Sequence, residues 1–219
     1  MSVVTIERKV LEKNDALAAV NRERFAVRGL VVLNIVSSPG AGKTSLLEAT
    51  IPRLSSRMRI GVIEGDVQTD LDAQRVGRYG VPVVQIVTNG SCHLEANLVG
   101  QALDRLNLDD LDLLIIENVG NLVCPASYDL GEAMKVVVLS TTEGDDKPLK
   151  YPAMFRQASV LVINKTDLLP YVNADIDAIR RNAWTVNPRL TVFETAATTG
   201  AGLDAWCEWL VSTTVGAHA

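Results

Sequence analysis

Apolar residues in this chain come in short, nearly continuous runs rather than in strict alternation. The runs occupy residues 31–36, 60–63, 83–87, 113–116, 136–139, 160–163 and 190–193, and most are dominated by Val, Ile and Leu. A strand with one wet face alternates apolar and polar residues, whereas an unbroken run fits a strand buried on both faces. Between several runs the pattern turns helical, as over 95–106 and 173–183. Runs alternating with helices predict an α/β fold: a mostly parallel, doubly wound sheet with helices on both faces. Before residue 30 no such run occurs. Ile6, Val10, Leu17 and Val20 have helical spacing instead, which predicts an N-terminal helical extension over 1–29, packed on a domain spanning 30–219. One amphipathic helix or two are expected, Asn14 or Asp15 being placed to act as an N-cap if the segment breaks there. The sequence contains no internal repeat, low-complexity segment or linker that would split the domain.

Polar motifs follow the runs: residues 37–44, 64–66, 117–120, 141–143 and 164–167. In a doubly wound sheet ligands bind beyond the carboxyl ends of the strands, so these five loops are expected to converge on one edge. The first, Ser37-Ser-Pro-Gly-Ala-Gly-Lys-Thr44, lies between a strand run and a helical stretch opening at Ser45. That context defines a P-loop, with Ser37 where the first glycine is usual. Backbone N–H groups of Pro39-Gly40-Ala41-Gly42 and the helix start (proline itself having none) face phosphates, Lys43 reaches β/γ oxygens, and the Thr44 hydroxyl suits Mg²⁺. Asn164-Lys165-Thr-Asp167 closes another strand run. A carboxylate there accepts both N–H groups on the N1/N2 edge of guanine, a pair that adenine lacks. An Asx-type turn accounts for the segment equally well when it is taken alone; paired with the P-loop, it points to GTP and GDP.

The 219 residues, 47% of them hydrophobic, suffice for one globular domain with a full core. A net charge of −5 without any Lys/Arg-rich run argues against nucleic acid or an anionic membrane surface as the principal partner. No run is long enough to span a bilayer, and charge precedes any signal-like stretch, so a cytoplasmic protein is expected. Cys92, Cys124 and Cys207 are too few and odd in number for a disulfide framework. Cys92 and the adjacent His93, with Cys124, offer two thiols and an imidazole for Zn²⁺ or Ni²⁺, with a fourth ligand from water or a second subunit. On spacing alone, two buried thiols and a satisfied histidine explain the same residues.

Six segments together resemble the HypB family of GTPases, which assist nickel insertion into [NiFe]-hydrogenase. They are residues 37–44, Glu64-Gly-Asp-Val-Gln-Thr-Asp-Leu-Asp-Ala-Gln-Arg75, Cys92-His-Leu-Glu-Ala-Asn97, Glu117-Asn-Val-Gly-Asn-Leu-Val-Cys-Pro125, Thr142-Glu-Gly-Asp-Asp-Lys-Pro-Leu-Lys-Tyr-Pro152 and residues 164–167. The resemblance runs over nearly the whole chain. It implies a P-loop NTPase fold, a nucleotide-dependent homodimer and a metal site shared at its interface. It also implies a nickel-delivery partner of the HypA type and a hydrogenase large-subunit precursor as recipient. It assigns Asp66 and Glu117, beside Lys43 and Thr44, to the catalytic Mg²⁺ centre, and an Ala197 N–H to guanine O6. Asn121 stands where small signalling GTPases carry a water-orienting glutamine, which implies slow turnover. The N-terminal Cys-x-x-Cys-Gly-Cys motif or His-rich tract that some members of the family add does not occur in this sequence. Competing readings are a urease-type accessory GTPase, whose Cys-Pro-His motif is not matched, an ATP-dependent kinase, and a metal buffer with little turnover.

Overall fold

The computed structural model describes residues 6–216. All seven apolar runs are strands: β1 (Val31–Ser37), β2 (Ile60–Asp66), β3 (Val83–Val87), β4 (Leu113–Glu117), β5 (Met134–Ser140), β6 (Ala158–Asn164) and β7 (Thr191–Glu194). They form one sheet in the order β3-β2-β4-β1-β5-β6-β7, with every neighbouring pair parallel. The chain first builds outward from β1 through β2 and β3, returns to insert β4 beside β1, then continues on the other side. Direction therefore reverses at β1, where a doubly wound sheet opens a crevice above its carboxyl edge.

Helices on both faces explain why the strands are mostly apolar. Leu33 and Ile35 of β1 pack into a core with Leu46, Leu47 and Ile51 of α2 (Lys43–Leu54) and Trp206 and Leu210 of α8 (Leu203–Gly216). Their neighbour Val32 points the other way, towards Phe25 of α1 (Ile6–Ala26) and Val99 and Leu103 of α4 (Ala96–Leu103). A third core joins β5 and β6 to Phe155 of α6 (Pro152–Gln157) and Ile179 of α7 (Ile176–Val186). The short helices α3 (Leu71–Gly77) and α5 (Lys147–Lys150) complete the set. No helix among the described residues is long and apolar enough to cross a membrane.

Of the two arrangements expected for the N-terminal segment, α1 takes the single continuous helix, and Asn14 lies inside it rather than at a cap. Its buried side chain donates to Asp129 O (2.8 Å) and accepts from Ala96 N (2.9 Å). Two helix bounds differ from those expected. α4 stops at Leu103, short of residue 106. α7 starts at Ile176 rather than 173, since Asp175 is the cap and accepts from the amides of Asp177 and Ala178.

Candidate nucleotide and metal site

The loop leaving β1 turns into α2 through Gly40 (φ +77°) and Gly42 (φ +97°). Gly42 is constrained twice over. Its φ is left-handed, and a Cβ there would lie 2.6 Å from Asn164 Nδ2. No side chain caps the start of α2, so its first amides face the crevice without a side-chain acceptor. Lys43 is buried, with Nζ 3.2 Å from Ser37 Oγ and 3.7 Å from Glu117 Oε1. The serine replacing the usual glycine is therefore a resting partner for the lysine. Above them lies a cavity of about 450 Å³ lined by Gly40, Lys43, Thr44, Asp66, Arg75 and Gly120, among others.

Two carboxyl groups lie behind this cavity, and sequence reasoning singled out one of them. Glu117 ends β4 and accepts from Thr44 Oγ1 at 2.9 Å. Glu64 is its register partner on β2 and is almost wholly buried. Burial first, then the neighbouring Glu117, pushes Glu64 up to about 10. Burial also raises Glu117, against the pull of Lys43. Glu64 Oε1 and Glu117 Oε2 are buried without a hydrogen-bond partner. Paired buried carboxyls with unused oxygens beside a P-loop hydroxyl fit a divalent cation. Asp66, expected in this role, lines the cavity with its carboxylate on its own turn, accepting from Val67 N (2.7 Å) and Thr69 N (3.0 Å). Partial burial raises its pKa, but the Thr69 and Val67 donors outweigh that and hold it below the usual range.

At the far side, Asn164 ties two loops together. It donates to Ala41 O at 3.1 Å and accepts from Thr195 Oγ1 (3.2 Å) and Ala197 N (3.3 Å). The Ala197 N–H expected at guanine thus faces Asn164 in a long bond. Lys165, itself left-handed at φ +62°, reaches back to Gly40 O at 2.7 Å. Asp167 Oδ2 accepts from Thr198 Oγ1, while Oδ1 is buried without a partner. The bond to Thr198 ties the carboxylate to a side chain of the loop after β7, whereas in an Asx turn the carboxylate bonds its own backbone.

Cys92, His93 and Cys124 come together within one chain, their ligand atoms all within 4.8 Å of one another. Cys92 Sγ and Cys124 Sγ are 2.9 Å apart. His93 stacks on Tyr128 with ring centroids 3.8 Å apart, and its Nε2 is buried without a hydrogen bond. Burial holds the imidazole below its ordinary pKa, against the opposing Glu95 charge, so it is kept in the neutral, ligating form. The Cys124 thiol is raised, first by its hydrogen bond to Cys92. Two soft sulfurs and a neutral imidazole suit Ni²⁺ or Zn²⁺.

Sequence reasoning also passed over Arg75 and Lys147. Arg75 lines the cavity while paired with Glu48 and Asp72. Lys147 Nζ lies 3.5 Å from Ser38 Oγ. Both were visible only as members of longer motifs.

The profile of the CobW/HypB/UreG nucleotide-binding domain matches residues 31–194. The hydrogenase maturation factor HypB of Azotobacter vinelandii is 55% identical over 210 residues, covering 95% of this chain and 69% of that protein. The hydrogenase/urease maturation factor HypB of Helicobacter pylori is 45% identical over 194 residues, covering 87% and 79%. The crystal structure of HypB from Helicobacter pylori in complex with nickel superposes with a TM-score of 0.89 at 41% identity, over 93% of this chain and 96% of that one. With its parallel P-loop sheet and these relatives, the chain belongs to the CobW/HypB/UreG family and, within it, to the HypB hydrogenase maturation factors.

Proposed function

We propose that this chain is a GTP-hydrolysing metallochaperone that carries nickel during [NiFe]-hydrogenase maturation, with nucleotide state linked to metal binding and to homodimerisation. One observation carries this reading. The segment that starts at Glu117, beside Lys43 and Thr44, reaches Cys124, beside Cys92 and His93, only seven residues later. A nucleotide change at one end has a short mechanical path to the cargo at the other.

In this reading the Lys43 ammonium neutralises the β/γ oxygens, and the start of α2 supplies amide donors to the phosphates. Glu117, Glu64 and the Thr44 hydroxyl would hold Mg²⁺, which would screen the phosphate charge. Asp167 Oδ1 takes the guanine N1/N2 donors. Water attacks the γ-phosphorus and the bond to the β–γ bridging oxygen breaks, giving GDP and phosphate. Turnover is slow because Asn121 is not aimed at the cavity: it donates to Cys92 O (3.3 Å) and accepts from Val123 N (2.8 Å). Nickel is cargo at Cys92, His93 and Cys124, the fourth position coming from water or the second copy in the dimer; zinc fits the same donors. A HypA-type protein and the hydrogenase large-subunit precursor are the partners, in the reducing cytoplasm that keeps these thiols free. Service to urease is the second reading, favoured by the Helicobacter relative named for both enzymes.

The test combines turnover with titration. Lys43→Ala is expected to lower GTP hydrolysis by at least about a hundredfold. Cys92→Ala/Cys124→Ala is expected to lose most Ni²⁺ affinity while keeping GTP binding. Turnover within a few-fold of wild type in the first variant, or unchanged nickel titration in the second under GDP and a GTP analogue, would overturn the proposal.

A further inference from the structure

Two sites that exchange information need a contact whose geometry both can bias. The backbone path from Glu117 to Cys124 is one route, but it passes through an exposed loop around Val123. A buried route is shorter. Asn118, next to Glu117, is almost wholly buried. Its Oδ1 accepts from Leu94 N (3.1 Å) and Val119 N (2.9 Å), and its Nδ2 donates to Asn34 Oδ1 (3.2 Å). Leu94 directly follows the Cys92-His93 pair, and its own side chain packs over the backbone of Gly65, between Glu64 and Asp66. On the nucleotide side, Gly120 lies against the P-loop so closely that a Cβ would sit 3.0 Å from Pro39 Cα.

The rest of the cluster makes Asn118 hard to move alone. Asn34 donates to Glu132 Oε1 (3.1 Å), and Lys135 Nζ joins Glu132 (2.8 Å) and reaches Tyr128 O (3.2 Å). Tyr128 is the ring stacked on His93. The buried amides and ion pair thus run from the strand carrying Glu117 to both sides of the His93 loop. A displacement of the 117–120 backbone either carries Leu94 along or breaks a buried hydrogen bond, and the second is costly.

We propose that Asn118 is the positioning residue that couples nucleotide state to the metal ligands, by holding the Leu94 amide and so the Cys92-His93 loop to the segment that follows Glu117. This rests on the proposed function, and the experiment separates the two. Ni²⁺ affinity is measured with GDP and with a GTP analogue in wild type, Asn118→Ala and Asn118→Asp. In parallel, the alkylation rate of Cys92 in metal-free wild-type protein is followed by mass spectrometry, with buried Cys207 as internal reference.

Wild type is expected to show an affinity ratio between nucleotides of at least about fivefold. The ratio should fall to within about twofold in Asn118→Ala and persist in Asn118→Asp, which keeps the oxygen acceptor for Leu94. Metal should alter nucleotide affinity reciprocally in wild type and not in Asn118→Ala. The Cys92 alkylation rate should differ between the two nucleotides while that of Cys207 does not. A full ratio retained in Asn118→Ala overturns the inference and leaves the proposed function standing. If Asn118→Ala does not fold, Cys92 alkylation that is equal with the two nucleotides, or a ratio lost in Asn118→Asp, overturns it. No nucleotide dependence in wild type overturns the linkage itself.

Discussion

At the scale of single residues, the orphaned buried oxygens of the site invite substitution. Asp167 Oδ1 is buried without a partner although Oδ2 has one. Asp167→Asn replaces an acceptor by an amide that faces guanine's donors less well but suits the carbonyl of xanthine. GTP affinity should fall by about tenfold or more and xanthosine triphosphate should be preferred, as competition binding would reveal. Unchanged GTP affinity would reduce the segment to a turn. Glu64 supports a test in pH. Its folded pKa, about 10, lies above the ordinary 4.5, because of burial and then Glu117. Between those values the unfolded chain binds fewer protons, so this contribution to stability is full below about 4.5 and is lost as pH rises. Glu64→Gln cannot ionise. In nucleotide-free protein its Tm should gain on wild type progressively from about pH 6 to about pH 9, Glu117 keeping some of the slope. Parallel Tm curves for the two proteins would contradict the assignment.

At the scale of elements, the P-loop helix depends on a partner from the other end of the chain. Trp206 of α8 is fully buried and its Nε1 donates to Thr50 Oγ1 of α2 at 3.1 Å. It also packs against Phe193 and Trp209. Trp206→Ala should cost about 3–5 kcal/mol in denaturant unfolding, and Trp206→Phe about 1 kcal/mol for the lost hydrogen bond. An effect below about 1 kcal/mol for the alanine would mean that α2 is held by the sheet alone. Elements were also what the sequence revealed best. All seven strands were legible because parallel strands under helices leave apolar runs that few polar residues interrupt. The P-loop and residues 164–167 were legible because their chemistry is local. Glu64 was not, since its importance comes from register with Glu117 on a strand more than fifty residues away. Asn118 and Asn14 look like loop and cap residues in sequence; only the packing reveals that their amides bind distant backbone.

At the scale of the molecule, α1 braces the Cys92-His93 loop from behind. Asn14 accepts from Ala96 N, and Asn21 donates to Ala96 O (2.9 Å) and Leu130 O (3.2 Å). Ala96 opens the helix that follows Cys92-His-Leu-Glu95. Asn14→Ala leaves a buried amide without its acceptor, at a cost of about 1–3 kcal/mol. Hydrogen exchange should quicken around residues 92–98 before it does in the central strands. Exchange that rises evenly over the whole sheet would show that α1 supports the fold in general rather than this loop.

The same brace has a consequence in time. The hydrogen-bond partners of Asn14 and Asn21 lie 75 to 115 residues further along the chain. A ribosome releasing about 5–20 residues per second leaves this helix waiting for several seconds before its seat exists. Its long-range contacts also carry a loop-closure cost that short-range packing avoids. α1 is thus made well before the segments that fix it, and the nascent chain presents this helix to other proteins before it presents a finished Cys92-His93 loop.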